Sequence, residues 1–466
     1  MNPLRCYSKI ETLIRTKARK LLKKYRNIFM ISLHLLKEIF NLDTQSSVAR
    51  TELTDFALTL TNNSLNAKKA FLSLMREADE LYQSGNWKES LNVRIIAKKI
   101  QEDELRNRNL DALGLKFIGS SFTESIGHLA IGLSTRAQAQ IMSNVNEYNK
   151  FVILKKSQKN KEYLELWSKY FPLINVSAIE YALIESALWP LFEDISFVDV
   201  NGQNIDLYEA HNLLVTNFLE KHPGKTLLEV TSVVSTEAKS FLQQHGIDSE
   251  REFITLHVRE DRISGPDYGR NAEAITYVEA IKYLTSQGYV VVRIGDKNSA
   301  RLPEIKNFLD LTSIQEYENE HDVFFLSSCK FFIGTTSGPL LVPFTFGKPI
   351  LATNTPDIAR FINLPMCLVL PKKVRRAGNL LQLRDILESG AGHTDGYLKR
   401  SRAKGSQWVN NLPSEIVNGV IEMLAESYNH PTSKQIETQK QISEYGFNGK
   451  VLIAKSFIDS NPDMFA

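Results

Sequence analysis

The sequence predicts an α/β protein with two separate βαβ starts, and three stretches predict it. The first is 253–296. Phe253–Val258 is a run of β-branched and apolar residues, as a buried strand requires. A loop with Gly265, Pro266 and Gly269 follows, then a helix over Ala272–Ser286 that stops at Gly288. A second apolar run, Tyr289–Ile294, is closed by Gly295 and Asp296. Strand, loop, helix, strand belongs in a parallel sheet. The second stretch repeats that order upstream: strand Leu115–Gly119, loop 120–128, helix Leu129–Met142, strand Phe151–Leu154. The third is the turn Gly334-Thr335-Thr336-Ser337-Gly338-Pro339. It follows the strand stretch Cys329–Ile333 and opens a helix expected to run through Phe346.

Size and composition bound the class. A chain of 466 residues suits two large domains with additions. Hydrophobic residues at 43% and charged residues at 23% describe a globular chain, and a net charge of +3 gives no general affinity for nucleic acid. Cys6, Cys329 and Cys367 lie far apart with no CxxC, which points to a reducing compartment without a disulfide framework. The nine histidines form no HExxH, and no GxxxxGK[ST], GxGxxG, GxSxG or Asp-x-Asp occurs. No metal site and no bound cofactor are therefore expected.

In chain order, residues 1–40 stand apart. Up to Arg26 there are nine Lys or Arg and one Glu, interleaved with apolar residues such as Ile10, Leu13, Leu21 and Leu22. The later apolar run Ile28–Leu36 contains His34, lacks a cleavage site and is too short to span a bilayer. Two readings fit: an amphipathic helix on an anionic membrane surface, or a helix packed on the protein's own body. Residues 67–112 read as a helical hairpin turning at Gly85-Asn86, with the pattern of a single tetratricopeptide-like unit. One such unit cannot bury its own faces, so its expected role is packing against the first α/β unit. Phe197–Val200 is a further strand, Thr236–Gln244 a helix, 375–410 a basic, glycine-rich surface loop and helix, and 414–466 largely helical.

Ligands of parallel sheets bind beyond the carboxyl ends of the strands. His257, Arg259 and Asp296 fall at such ends, and Arg259 with Arg270 offers two guanidinium forks for a diphosphate. The turn holding Thr336, Ser337 and Gly338 offers amides and hydroxyls to an anion, with Pro339 suited to a first helical turn. In the first unit, Gly127 lets backbone come close to a ligand. Glu124 and His128 are the acid/base candidates there. Each also has an ordinary structural reading, a helix-dipole carboxylate for Glu124 and a capping or core histidine for His128. Asp296 is either a ribose or base ligand or a strand-end carboxylate.

With His257-Val258-Arg259 at a strand end and Cys329–Pro339 before a helix, the chain resembles a family of bacterial glycosyltransferases of GT-B type. Tyr268-Gly269-Arg270-Asn271-Ala272 and Val292-Arg293-Ile294-Gly295-Asp296 also look like that family. More remotely, the His-x-Arg and Ser-Gly elements look like protein O-fucosyltransferases and α1,6-fucosyltransferases. The resemblance covers about residues 115–430. It implies a GT-B-like fold, two Rossmann-like domains facing a cleft, with helical N- and C-terminal additions. The implied segments are 1–66 basic and amphipathic, 67–112 the hairpin, 113–245 an acceptor domain, 246–425 a nucleotide-sugar domain and 426–466 C-terminal helices.

The resemblance further implies that Arg259 contacts the donor diphosphate and Ser337 the phosphates, with His257, Tyr268, Arg270, Asn271, Asp296, Thr336 and Gly338 on the donor side. The expected function is metal-independent transfer from a nucleotide sugar, as substrate rather than cofactor, to a cell-surface glycan, lipid-linked sugar or protein. Arg259 and one of Glu124 and His128 would carry the chemistry, in the cytoplasm and peripherally on the inner membrane face. The rivals are a nucleotide-sugar epimerase on the same fold and a non-catalytic helical scaffold.

Overall fold

The computed structural model describes residues 65–84, 86–142, 150–200, 203–260, 269–318, 322–356, 358, 361–388, 405–445 and 451–465. The basic segment 1–40 lies outside these residues. Helices α1 (Leu65–Ser84) and α2 (Trp87–Asn107) form the hairpin. It packs on the first α/β unit. Phe71 lies 4.9 Å, centroid to centroid, from the ring of Trp189, Gln101 Nε2 donates to Phe192 O at 2.7 Å, and Arg108 Nη1 donates to Ala187 O at 2.8 Å.

The first unit is a parallel three-stranded sheet, β1 (Leu115–Ile118), β2 (Lys150–Lys155) and β3 (Leu173–Asn175), in that order. Helix α3 (Ile126–Met142) lies between β1 and β2 in the chain and begins three residues earlier than its periodicity suggests. Phe197–Val200 is a strand, β4, but it stands outside this sheet in an antiparallel hairpin with β5 (Gln203–Asp206). Asp206 then caps α4 (Leu207–Lys221), its carboxylate accepting from the amides of Tyr208 and Glu209.

The second unit is a six-stranded sheet of β6 (Phe253–His257), β7 (Val290–Ile294), β8 (Phe308–Asp310), β9 (Phe332–Thr335), β10 (Ile350–Thr355) and β11 (Cys367–Pro371). All its pairings are parallel and its order is β11-β10-β9-β6-β7-β8. That is the doubly wound Rossmann order, with the chain reversing direction across the sheet between β6 and β9. The strands bury both faces, which explains their continuous apolar runs. Helix α5 (Val278–Ser286) follows a 3₁₀ turn at Ala274–Tyr277, and helix α6 (Asp322–Ser328) precedes β9.

Two expectations are corrected. The helix opening at Gly338 is two 3₁₀ turns, Gly338–Leu341 and Pro343–Phe346. Pro339 and Pro343 have no N–H, so an i→i−4 ladder cannot run through this segment. The turns are closed by i→i−3 bonds instead, such as Val342 N to Pro339 O at 3.2 Å. The stretch 375–410 is not only surface loop and helix. It contributes to an antiparallel sheet of β12 (Lys373–Arg376), β13 (Asn379–Leu380) and β14 (Ser406–Val409). Ala377 and Gly378 join the first two strands, both with positive φ (49° and 84°), as a type I′ hairpin turn needs. Alanine there is no turn signal in a sequence.

One hydrophobic core runs through both units, from Leu129 and Leu133 of α3 to Leu256 of β6 and Leu351 of β10. Polar contacts seal the same interface. His211 of α4 meets Asn363 O with Nε2 at 3.1 Å and Thr135 Oγ1 with Nδ1 at 3.3 Å, and Asn363 N donates to Asn212 Oδ1 at 2.7 Å. The C-terminal stretch adds α7 (Pro413–Leu424) and shorter helices at Ser433–Ser443 and Lys455–Ser460. Cys329 and Cys367 are buried and unpaired. No helix among the described residues is long and apolar enough to cross a membrane.

Candidate functional site

The reversal point lies between β6 and β9, and the sequence sets it up with small residues. His257, the last residue of β6, stands opposite Gly334 of β9. A Cβ on Gly334 would come within 2.9 Å of His257 O and 2.5 Å of the Phe332 ring, so only glycine allows the strands to run this close. Beyond the strand ends, Arg259 is held twice. Its backbone N–H donates to Thr335 Oγ1 at 2.9 Å, and its Nε donates to Asn271 Oδ1 at 3.1 Å. Ser337 Oγ donates to Thr335 O at 3.1 Å and lies 3.2 Å from His257 Nδ1. Between Ser337 Oγ and His257 Nδ1 either atom can be the donor, the choice going with the histidine tautomer. Burial, then the guanidinium groups of Arg293 and Arg259, pushes the His257 imidazole down to about 4. It is therefore a neutral hydrogen-bonding group near pH 7 and not a cation for phosphate.

Arg293 was not singled out in the sequence. It is 1% exposed on β7 and donates to Glu260 Oε2 at 2.8 Å and to Asp310 Oδ2 at 3.0 Å. Glu260 also accepts from Ala300 N at 3.0 Å. This buried network ties the ends of β6, β7 and β8 together at the site, with Glu260 itself in the wall of the smaller of two cavities that open there. Such a paired charge buys geometry more than stability.

Two adjoining cavities open here. The first, about 290 Å³, is walled by His257, Arg259, Asp296, Ser337 and Gly338 from the second unit, with Ile126 and Asn160 from the first. The second, about 510 Å³, has Glu124, Lys159, Glu162 and Glu318 in its wall. Ile126, Asn160 and Asp322 belong to both. Asn160 sits at φ 54°, and its Nδ2 donates to Thr123 O at 2.9 Å, which brings the loop after β2 onto the loop after β1. Asp322 opens α6, where a sequence shows only an ordinary helix-start carboxylate. In the fold its Oδ1 is shielded from water with no hydrogen-bond partner. Burial, then the neighbouring Asp296, pushes its carboxyl well above the usual range.

Of the residues singled out from sequence, His257, Arg259, Asp296, Ser337 and Gly338 meet in the first cavity, and Glu124 reaches the second. Others do not join them. Arg270 lines neither cavity, and Asn271 acts from behind through Arg259 Nε. Thr336 lines neither, and its Oγ1 is buried without a partner. Thr335 supplies the bond to Arg259. His128 is exposed in the first turn of α3, its Nδ1 3.1 Å from Ser121 O. At Gly127 the close approach is made by protein, since Gly338 Cα fills that space. Tyr268 lies outside the described residues. Among the described residues, no group of three or more His, Cys, Asp or Glu is placed to hold a metal ion.

No protein-family model matches the sequence, and no curated protein does. Solved structures resemble the fold. The glycosyl transferase family 9 protein from Veillonella parvula aligns with a TM-score of 0.41 and 12% identity, over 67% of this chain and 98% of that one. ADP-heptose LPS heptosyltransferase II from E. coli aligns at 0.39 and 13%, over 67% and 99%. A second E. coli heptosyltransferase, solved with ADP, aligns at 0.30 and 11%, over 55% and 90%. All three scores lie below 0.5, so the fold assignment rests on the strand order of the second sheet. The two E. coli structures are heptosyltransferases, and the Veillonella parvula structure is a family 9 glycosyl transferase. The fucosyltransferase resemblance rests on its motif residues alone.

Proposed function

We propose that this chain is a glycosyltransferase that holds a nucleotide-sugar donor at the carboxyl ends of β6 and β9 and an acceptor in the second cavity. The observation that carries the reading is Arg259: a guanidinium opening on a cavity at the reversal point of a doubly wound sheet, oriented from behind by Asn271. The hydroxyl of Ser337 and the backbone of Gly338 stand beside it. In this reading an acceptor hydroxyl attacks the anomeric carbon of the sugar and gives its proton to Glu124. The bond from that carbon to the diphosphate oxygen breaks, and the leaving nucleoside diphosphate takes the electron pair. Arg259 neutralises the charge that develops there, the largest contribution in chemistry of this type. Asp296 suits hydroxyl donors of the nucleotide or sugar, and the neutral imidazole of His257 can hydrogen-bond a hydroxyl in either tautomer.

The absence of Asp-x-Asp from the sequence and the cationic Arg259 support transfer without a metal ion. The basic, apolar-interleaved residues 1–40 support attachment to the inner face of an anionic membrane, with the acceptor a cell-surface glycan, a lipid-linked sugar or a protein. The test is a thermal-shift screen of the full chain with UDP, GDP, ADP and CMP, followed by product analysis with the matching nucleotide sugars, with and without EDTA. Nucleotide protection and a glycosylated product that survives chelation are expected. No protection by any nucleotide sinks the reading. Loss of activity on chelation, restored by Mn²⁺ or Mg²⁺, removes the metal-independent part.

A further inference from the structure

Lys372 lines neither cavity, yet it bears on the site at one remove. It is the first residue after β11, and β11 lies three strands from β6 in the sheet order. At a strand spacing of about 4.8 Å, its backbone starts roughly 14 Å from the end of β6. Its side chain is 4% exposed, and its Nζ donates to Asn271 O at 2.6 Å, a charge-assisted bond. Burying an ammonium is costly, and an apolar side chain of similar length would fill the space without that cost.

The bond acts on one peptide unit. The carbonyl of Asn271 accepts from Lys372, and the amide of the same unit, Ala272 N, donates to Arg259 O at 2.9 Å. The side chain of Asn271 accepts from Arg259 Nε at 3.1 Å. With both polar atoms of this peptide engaged, its plane is held, and Oδ1 is delivered to the guanidinium. The base of Lys372 is fixed in turn. Its N–H donates to Thr355 O at 2.8 Å, and the preceding Pro371 O accepts from Asn411 Nδ2 at 2.8 Å. Asn411 and Asn354 bond reciprocally, Asn354 N to Asn411 Oδ1 at 2.6 Å and Asn411 N to Asn354 Oδ1 at 2.8 Å. These bonds tie the ends of β10 and β11 to the arginine beyond β6.

We infer that Lys372 is a positioning residue: its ammonium locks the Asn271–Ala272 peptide and through it sets the direction of the Arg259 guanidinium. The inference rests on the glycosyl-transfer reading only for what Arg259 binds, a nucleoside diphosphate.

Lys372→Met removes the ammonium at nearly constant length, and two measurements on the full chain test its effect. The first needs no ligand. It is hydrogen exchange at the Arg259 Nε–H, followed by NMR and assigned by the absence of that signal in Arg259→Ala. Exchange is expected to quicken about fivefold or more, the scale of a weakened hydrogen bond. Arg136 Nε, which donates to Glu193 Oε2 at 3.3 Å in the first unit, is the control and is expected to keep its rate. The second measurement is the affinity for ADP, GDP and UDP. For whichever of them binds the parent chain, Lys372→Met is expected to weaken binding about fivefold, and to add no more than about twofold in the Arg259→Ala background.

Unchanged exchange at Arg259 overturns the inference. So does equal acceleration at Arg136, which reports lost stability. A full effect of Lys372→Met in the absence of the Arg259 guanidinium overturns it too, because the ammonium then acts directly. Should Lys372→Met not fold, Lys372→Gln, shorter and uncharged, is measured in its place with the same expectations. Failure of both to fold makes Lys372 a folding residue and ends the positioning role. If no nucleotide binds the parent chain, the transfer reading falls, and the exchange measurement alone decides the role of Lys372.

Discussion

Gly127 and Gly338 bring the two α/β units into backbone contact beside the cavities. A Cβ on Gly127 would fall 2.8 Å from Gly338 Cα, and one on Gly338 would fall 3.0 Å from Gly127 N. At Gly127 the opposing atom is backbone and cannot turn aside, and at Gly338 a Cβ meets the Ile126 Cγ2 methyl at 2.9 Å together with the Gly127 amide, so a side chain at either position presses the units apart.

Gly127→Ala is therefore expected to destabilise the fold by about 1–3 kcal/mol, the range for overpacking a tight site. Gly127 is helical, so the gain of up to about 1 kcal/mol of alanine over glycine in a helix offsets only part of the clash. Scanning calorimetry checks this. A melting temperature equal to that of the parent chain would show that the contact is looser than it looks.

Arg259→Ala is expected to weaken nucleoside-diphosphate binding by about 1.5–3 kcal/mol, the scale of a charged hydrogen bond. Asn271→Ala leaves the guanidinium but removes the acceptor of its Nε. The expected loss is smaller, about 1 kcal/mol. Calorimetric titration of the nucleotide that protects best separates the two. Unchanged affinity in Arg259→Ala would rule it out as a phosphate ligand.

His211 links stability to pH. It is fully buried at the interface between the units, and burial holds its pKa down to about 4. The unfolded chain binds a proton near the ordinary value of about 6.5, so between about 4 and 6.5 the unfolded state carries more protons. Stability from this group is complete above that window and is lost as pH falls through it, by about 3 kcal/mol in all. His257, also pushed down to about 4, acts in the same direction. Asp322, pushed up, acts oppositely as pH rises above the ordinary carboxylate range. Denaturant melts at pH 7 and pH 4.5 check the sign for the histidines, and His211→Gln should flatten the dependence. An equally steep dependence in that variant would remove His211 from the account.

Residues 1–40 lie outside the described residues, and their chemistry makes a separate prediction. Nine basic residues in the first 26 favour anionic lipid, each by up to about 1 kcal/mol near the surface. In liposome flotation the full chain should rise with anionic vesicles at low salt, less at high salt, and not after deletion of 1–40. A truncated chain that floats equally well would show that the segment does not carry the attachment.

The sequence by itself determined the α/β class, the βαβ order of both units and the strand-end placement of His257, Arg259, Asp296 and the Gly334–Pro339 turn. These are local properties: hydrophobic period, β-branched runs and glycine punctuation act within a few residues of one another. Only the tertiary structure decided which residues meet. Asp322 and Arg293 look ordinary in the chain and become part of the site because α6, β7 and the ends of β6 and β8 converge there. His128, Arg270 and Thr336 sit within a few residues of the site in sequence, yet line neither cavity. On a helix or a tight turn, one position along the chain changes the direction of a side chain by a large angle. Gly127 shows the same limit. The sequence called for a close approach at that position, and only the packing of α3 against the turn after β9 made its partner Gly338. Long-range packing of one shared core sets such pairs, and no local period encodes it.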